Sequence, residues 1–252
     1  METLNRLPRR ELRCSEDFLK WMGFLCLCLG TFSAAVLQRG LMHLNSQSTQ
    51  SLYEALEPGG TMMGTASLAV SCTLASTLAI PMYAVLTAEG FVHTKHQRKY
   101  ILRLALLALA SELPFDLAMS GTLVDSTAQN PVFALCIALL ALAILNQYGK
   151  PGAMGWTLSL LVTAAGCLWA LLLGCRYGML TVLLTAVFYL FRENKKMGIW
   201  LGAALSLLQF PAPFGVLFVH WYDGTPGKTN RWLFYALYPA HLLLFAAASA
   251  LV

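Results

Sequence analysis

The chain of 252 residues reads as an all-α, polytopic integral membrane helix bundle. Three observations carry that reading. Hydrophobic residues make up 58% of the chain and charged residues 12%, whereas a soluble domain carries about a quarter charged residues. The apolar residues come in runs of ~20, the length a helix needs to cross a bilayer. The charges fall between those runs, where membrane proteins keep them. The net charge of +5 is therefore a topology signal. No basic face interleaved with aromatics marks a nucleic-acid site, so membrane lipids rather than nucleic acid are the expected surroundings.

The runs predict about eight transmembrane helices, at 18–38, 66–91, 99–119, 130–148, 154–174, 176–192, 197–220 and 231–251. The first follows Arg6, Arg9, Arg10 and Arg13. It exceeds the 7–15 apolar residues of a signal peptide and no small-x-small site follows it, so it is expected to be a retained span. The second is rich in Ser and Thr, and the third contains Pro114. The fourth opens on Asn130-Pro131, an N-cap residue followed by an N1 proline. The sixth is short, and its link to the fifth is short enough that the pair could instead be one re-entrant hairpin. A single domain over 1–252 is expected, with no internal repeat. Residues 1–17 form a basic segment, and the loop at 39–61, with Glu54, Glu57 and Pro58-Gly59-Gly60, is the expected lid or partner-facing segment.

Lys and Arg placement sets the orientation. With the N-terminus in the cytoplasm, the eight-span reading leaves only Arg39, Arg176, Lys228 and Arg231 outside among the 17 basic residues, and both termini are cytoplasmic. The seven cysteines include no C-x-x-C and no zinc spacing, so neither a disulfide nor a metal site is expected.

Ionisable groups inside spans are costly and mark function by default. Glu89 and His93 are i, i+4 and share a helix face, with Gly90 between them letting another backbone approach. Lys95, His96, Arg98, Lys99 and Arg103 follow. Such a cluster suits the phosphates of a cytoplasmic donor; it equally suits lipid headgroups. In Ser111-Glu112-Leu113-Pro114-Phe115-Asp116, two more carboxylates stand i, i+4, and a close pair splits its pKa values. Asn130 is a cap or a polar contact. In Tyr238-Pro239-Ala240-His241, an imidazole facing a carboxylate would be a general base. One set of groups is basic and faces the cytoplasm, the other is acidic with one histidine and lies nearer the outer face, a layout that suits group transfer across the membrane and equally a proton-coupled transporter.

The run from Ala79 to Thr94, then Arg98-Lys99-Tyr100-Ile101-Leu102-Arg103-Leu104, resembles the signature of the TraX family. So do Ser111 to Ala118 with Gln129-Asn130 following, Phe188-Tyr189-Leu190-Phe191-Arg192, Tyr235 to Leu244, and Lys20-Trp21. The resemblance covers nearly the whole chain and is most specific over 79–130. It implies a bacterial cell-membrane protein, similar to transmembrane acyltransferases, that acetylates the N-terminus of conjugative pilin or another extracytoplasmic acceptor from acetyl-CoA. Carried onto this chain, it implies a donor site at Glu89, His93, Lys95, Arg98 and Lys99. Catalysis would fall to His241 with Glu112 and Asp116, and acceptor contacts to Asn130 and Tyr238. Two departures stand out. The family typically has Asp-His where this chain has Gly30-Thr31, and Asp-Tyr-Gly where it has Arg176-Tyr177-Gly178. A catalytically inactive membrane scaffold is the alternative these departures raise. A transporter is the other, against which stands the absence of a repeat. No P-loop, G-x-S-x-G or H-E-x-x-H is present.

Overall fold

The computed structural model describes residues 13–44, 60, 62–149 and 152–251. Helix α1 spans Glu16–Phe32 and is capped by Ser15, whose hydroxyl accepts from the Phe18 N–H at 3.3 Å. It continues as a π-helical segment, Ser33–Leu41. Helices α2 (Met63–Ser76) and α3 (Ala79–His93) share one apolar run. The run breaks between them because the Ser76 and Thr77 hydroxyls bond carbonyls three residues back, at 2.7 and 2.8 Å, and Pro81 has no N–H to return. Then come α4 (Gln97–Met119), α5 (Pro131–Tyr148), α6 (Ala153–Leu172) and α7 (Gly178–Leu190). Helix α8 (Lys195–Ser206), a 3₁₀ turn (Leu207–Gln209), α9 (Pro213–Trp221) and α10 (Arg231–Ser249) complete the order. Among the described residues the structure is helical, with no strand beyond two isolated bridges.

Five stretches are long and apolar enough to cross a membrane: Glu16–Leu41, Met63–His93, Pro131–Tyr148, Ala153–Leu172 and Trp232–Ser249. Helix α7 is apolar but has only 13 residues. It lies at the centre, with Leu180, Val182, Leu184 and Thr185 buried. Gly166 of α6 admits it, since a Cβ there would lie 3.1 Å from Val182. Helix α4 carries five charged residues, yet Leu102, Leu106, Leu109 and Leu113 form one exposed stripe along it. Exposed leucine is at no disadvantage in lipid, so that stripe turns Glu112 and Asp116 inward, as intramembrane carboxylates require.

The predicted span at 197–220 is not one helix. Helices α8 and α9 are 12 and 9 residues long, about 18 and 14 Å at 1.5 Å per residue, too short for a ~30 Å hydrocarbon core. The hairpin was expected, as an alternative, at spans five and six; it forms here instead because Pro211 and Pro213 interrupt the run. The Lys195 amine donates to the Tyr222 carbonyl, so the hairpin leaves at the end where it enters. Gly215 lodges against the Leu78 carbonyl and the Pro81 ring at the α2–α3 break.

That hairpin changes which chain ends lie together. The Cys14 N–H donates to the Trp221 carbonyl at 2.9 Å. Glu16 accepts from the Gly227 N–H at 2.7 Å, and Asp17 accepts from the Lys228 N–H at 2.6 Å. Lys228 therefore sits at the same end as the start of α1, not opposite it, and so does the first residue of α10. The far end of α10 meets the far end of the first helix, where the Arg39 Nε and Nη2 donate to the Ser249 hydroxyl at 3.0 and 2.8 Å. Residues 14 and 249 thus lie at opposite ends of the bundle. Among the described basic residues, only Arg39 and Arg176 sit at the Ser249 end. The predicted segment 1–17 and loop 39–61 fall largely outside the described residues.

Candidate functional site

A cavity of about 620 Å³ runs between α1, α3, α4, α5 and α10 and reaches the start of α7. At one end Lys20, His93, Lys95, Tyr100 and Arg103 line it. Thr31, Met119, Pro131, Arg176 and Tyr177 line the other end. Between them stand Phe24, Tyr83, Tyr238 and His241.

His241 is buried, one turn past Tyr238 and next but one to Pro239 on α10. Its Nδ1 lies 3.2 Å from the Leu237 carbonyl. A carbonyl only accepts, so Nδ1 carries a proton. Nε2 lies 3.3 Å from the Thr31 hydroxyl, which also reaches the Leu27 carbonyl at 3.0 Å. The rings of Phe24 and Tyr238 flank the imidazole at 5.3 and 5.4 Å between centroids. The site thus offers an imidazole in the cavity wall, with the Thr31 hydroxyl beside its Nε2.

Glu112 and Asp116 are engaged elsewhere. Glu112 Oε2 accepts from the Asn130 side-chain amide at 2.5 Å and from its backbone N–H at 3.3 Å. The same amide donates to the Ala108 carbonyl at 2.9 Å, while Asn130 Oδ1 accepts from the Val132 N–H at 3.0 Å. Asn130 is thus both the cap of α5 and its tie to α4. Asp116 Oδ2 accepts from the Asp125 N–H at 3.0 Å. Neither carboxylate lines the cavity, and no hydrogen bond joins either one to His241 or to the other. Tyr238 does line it.

The basic end is only partly the predicted set. His93 Nδ1 lies 3.3 Å from Glu89 Oε2 and 2.9 Å from the Glu89 carbonyl. His93 and Lys95 line the cavity; Arg98 and Lys99 are exposed on the first turn of α4, outside it. Glu89 lines a second cavity of about 270 Å³ with His93 and Arg192. The cavity end gains Lys20, paired with Glu16 at 2.5 Å, and Arg103, whose Nε is buried without a partner. Lys20 stands 69 positions before Glu89 in the chain, so nothing local in the sequence joins them. Gly90 makes room as expected, but for a side chain: a Cβ there would lie 3.1 Å from the Tyr100 hydroxyl.

The positions that the sequence reading set apart from the TraX resemblance meet in this cavity. Gly30, Thr31 and Arg176 all line it. A Cβ at Gly30 would lie 2.6 Å from the Ser76 Cβ, so an acidic side chain there requires α2 to shift.

The family model described as "TraX protein" matches residues 15–249. The chain belongs to the TraX family. Among curated proteins it is similar to the "Probable fimbrial assembly protein FimC, serogroup H1" of Dichelobacter nodosus. The two are 27% identical over 200 residues, which cover 68% of this chain and 80% of that protein. No solved structure matches the chain. Family and helices together make this TraX-family chain a helical membrane protein related to a fimbrial assembly protein.

Proposed function

We propose that this TraX-family protein is a membrane acetyltransferase that moves an acetyl group from acetyl-CoA to an amine acceptor, of which a pilin N-terminus is the best-supported example. The observation that supports it is one cavity lined by basic residues at one end and by His241 in its middle. The end rich in Lys and Arg faces the cytoplasm by the positive-inside rule. In this reading the chain crosses seven times, with α8 and α9 as a hairpin entering from the cytoplasmic side, the N-terminus inside and the C-terminus outside. The hairpin brings Lys228 and the start of α10 to the basic end, so the charge bias is stronger than with eight spans.

Lys20, His93, Lys95 and Arg103 would hold the donor's phosphates by charge-assisted hydrogen bonds. Arg98 and Lys99 would act from outside the cavity by attraction alone. The acceptor amine loses a proton to His241 Nε2 as its nitrogen attacks the thioester carbonyl carbon. The C–N bond forms, the C–S bond breaks, and the imidazolium proton goes to the departing thiolate. The Tyr238 hydroxyl would donate to the developing oxyanion, since the Thr31 hydroxyl is already donating to the Leu27 carbonyl. Glu112, Asp116 and Asn130 support this by fixing α4 against α5.

Thermal unfolding with and without acetyl-CoA tests donor binding. A ligand specific for the folded state adds about 2.7 kcal/mol at one hundred times its dissociation constant. His241→Ala is expected to abolish transfer and keep that shift; unchanged turnover would rule out His241 as the base. A second reading, a non-catalytic assembly partner, draws on Thr31 and on the absence of a carboxylate beside His241 among the described residues. It predicts neither transfer nor an acetyl-CoA shift.

A further inference from the structure

Arg176 is the cation of this cavity that the donor does not need. It lines the end away from Lys20 and Lys95. Its Nη1 lies 3.0 Å from the Met119 sulfur, and its guanidinium carbon 5.5 Å from the Tyr177 ring centre. A thioether is a weak acceptor, and a guanidinium has five N–H donors to satisfy. Among the described residues no carboxylate lies within ion-pair distance of it. Arg39, at the same end of the bundle, is the opposite case: it donates to the Ser249 hydroxyl and to the Leu117 carbonyl. One arginine is consumed by the fold and the other is held open.

The backbone holds Arg176 in place. The Gln129 N–H donates to the Gly174 carbonyl and the Arg176 N–H to the Gln129 carbonyl, both at 3.1 Å. Tyr177 follows with φ of 57°, a left-handed conformation that bulky residues rarely adopt. It turns Arg176 and Tyr177 together into the cavity wall. Tyr238 feels the charges of both Glu112 and Arg176, and its ring lies 5.4 Å from that of His241. A guanidinium, a phenol and an imidazole thus line one cavity.

We infer that Arg176 binds a carboxylate of the acceptor, so that the preferred acceptor is a peptide with an acidic side chain close to its free amino terminus. The inference rests on the cavity being the transfer site proposed above. The paired oxygens of a carboxylate match the guanidinium fork, and the cavity that Arg176 lines also holds His241, where the amine would react. A peptide fits better than a lipid headgroup because Arg176 faces the cavity that holds His241 rather than the belt of exposed leucines.

The test is direct binding, without acetyl-CoA, to the full chain in neutral-lipid nanodiscs. The probes are a short fluorescent peptide with a free amino terminus and an early glutamate, and the same peptide with glutamine there. The glutamate peptide is expected to bind about ten- to a hundredfold more tightly. Arg176→Gln should erase the difference and Arg176→Lys keep part of it. Thermal unfolding of the variants should match the parent, since the side chain's protein contacts are a thioether and a ring. Equal binding of the two peptides, no binding of either, or a preference that survives Arg176→Gln overturns the inference. So does an Arg176-dependent response to phosphatidylglycerol discs without any peptide preference, which makes the residue a lipid contact. Selective binding with no acetyl transfer would leave this inference standing and remove the proposed chemistry.

Discussion

Glu89 with His93 and Glu112 with Asp116 look alike in sequence: two ionisable residues four apart near a helix end. The structure uses them in opposite ways. Glu89 and His93 turn toward each other, with side chains 38% and 75% exposed. Glu112 and Asp116 turn away from each other, each to a backbone N–H of the connection that leads into α5. The first pair stands at a bundle end where water can solvate both groups. The second lies inside, where a carboxylate needs fixed donors. The N–H groups that precede and open a helix are unpaired donors, and the α4–α5 connection supplies them. Spacing along a helix names a shared face; what that face meets decides whether the groups pair, cap or wait for a ligand.

Changes at the inner pair should therefore cost far more. Asn130→Ala removes the α5 cap and the side-chain amide bonds to Glu112 and the Ala108 carbonyl, leaving Glu112 only the backbone N–H of residue 130. About 2–4 kcal/mol of stability should be lost, measured by thermal unfolding; a melt like that of the parent would show that Glu112 finds water instead. Asp116→Ala frees only the Asp125 N–H and should cost about 1 kcal/mol. Glu89→Gln touches an exposed pair and should change stability by no more than about 0.5 kcal/mol. A double-mutant cycle sharpens the contrast: coupling between positions 112 and 130 should exceed that between 89 and 93. The smallest effect is one of pH. Asp125 accepts from the Thr127 N–H, which holds its carboxyl below the ordinary range. A depressed folded-state pKa stabilises above the unfolded value of about 3.9. That contribution disappears as pH falls through the folded-state value, so Asp125→Asn should flatten the acid limb of stability.

The helical class, the membrane setting and the inventory of ionisable residues were legible because each is a local property of composition and period. The Asn130 cap was legible too, since its signal is the adjacent proline. The basic cluster was half legible: His93 and Lys95 reach the cavity, while Arg98 and Lys99, one turn further on, face outward. Lys20 was not legible as a partner of His93 and Lys95, because they meet only when α1 packs against α3. Span counting failed at 197–220, where hydropathy registers apolar residues and not the direction in which Pro211 and Pro213 send the chain.

The sequence by itself determined that this is a helical membrane protein of TraX type, with two imidazoles, three carboxylates and a basic cluster at definite positions along its helices. Tertiary structure alone decided what each of them faces. Thr31 meets His241 across 210 residues, Asn130 takes Glu112 away from the imidazole, and the hairpin moves Lys228 to the basic end. A helix repeats every 3.6 residues and so fixes which side chains share a side. The neighbour on that side is set by packing among helices far apart in the chain.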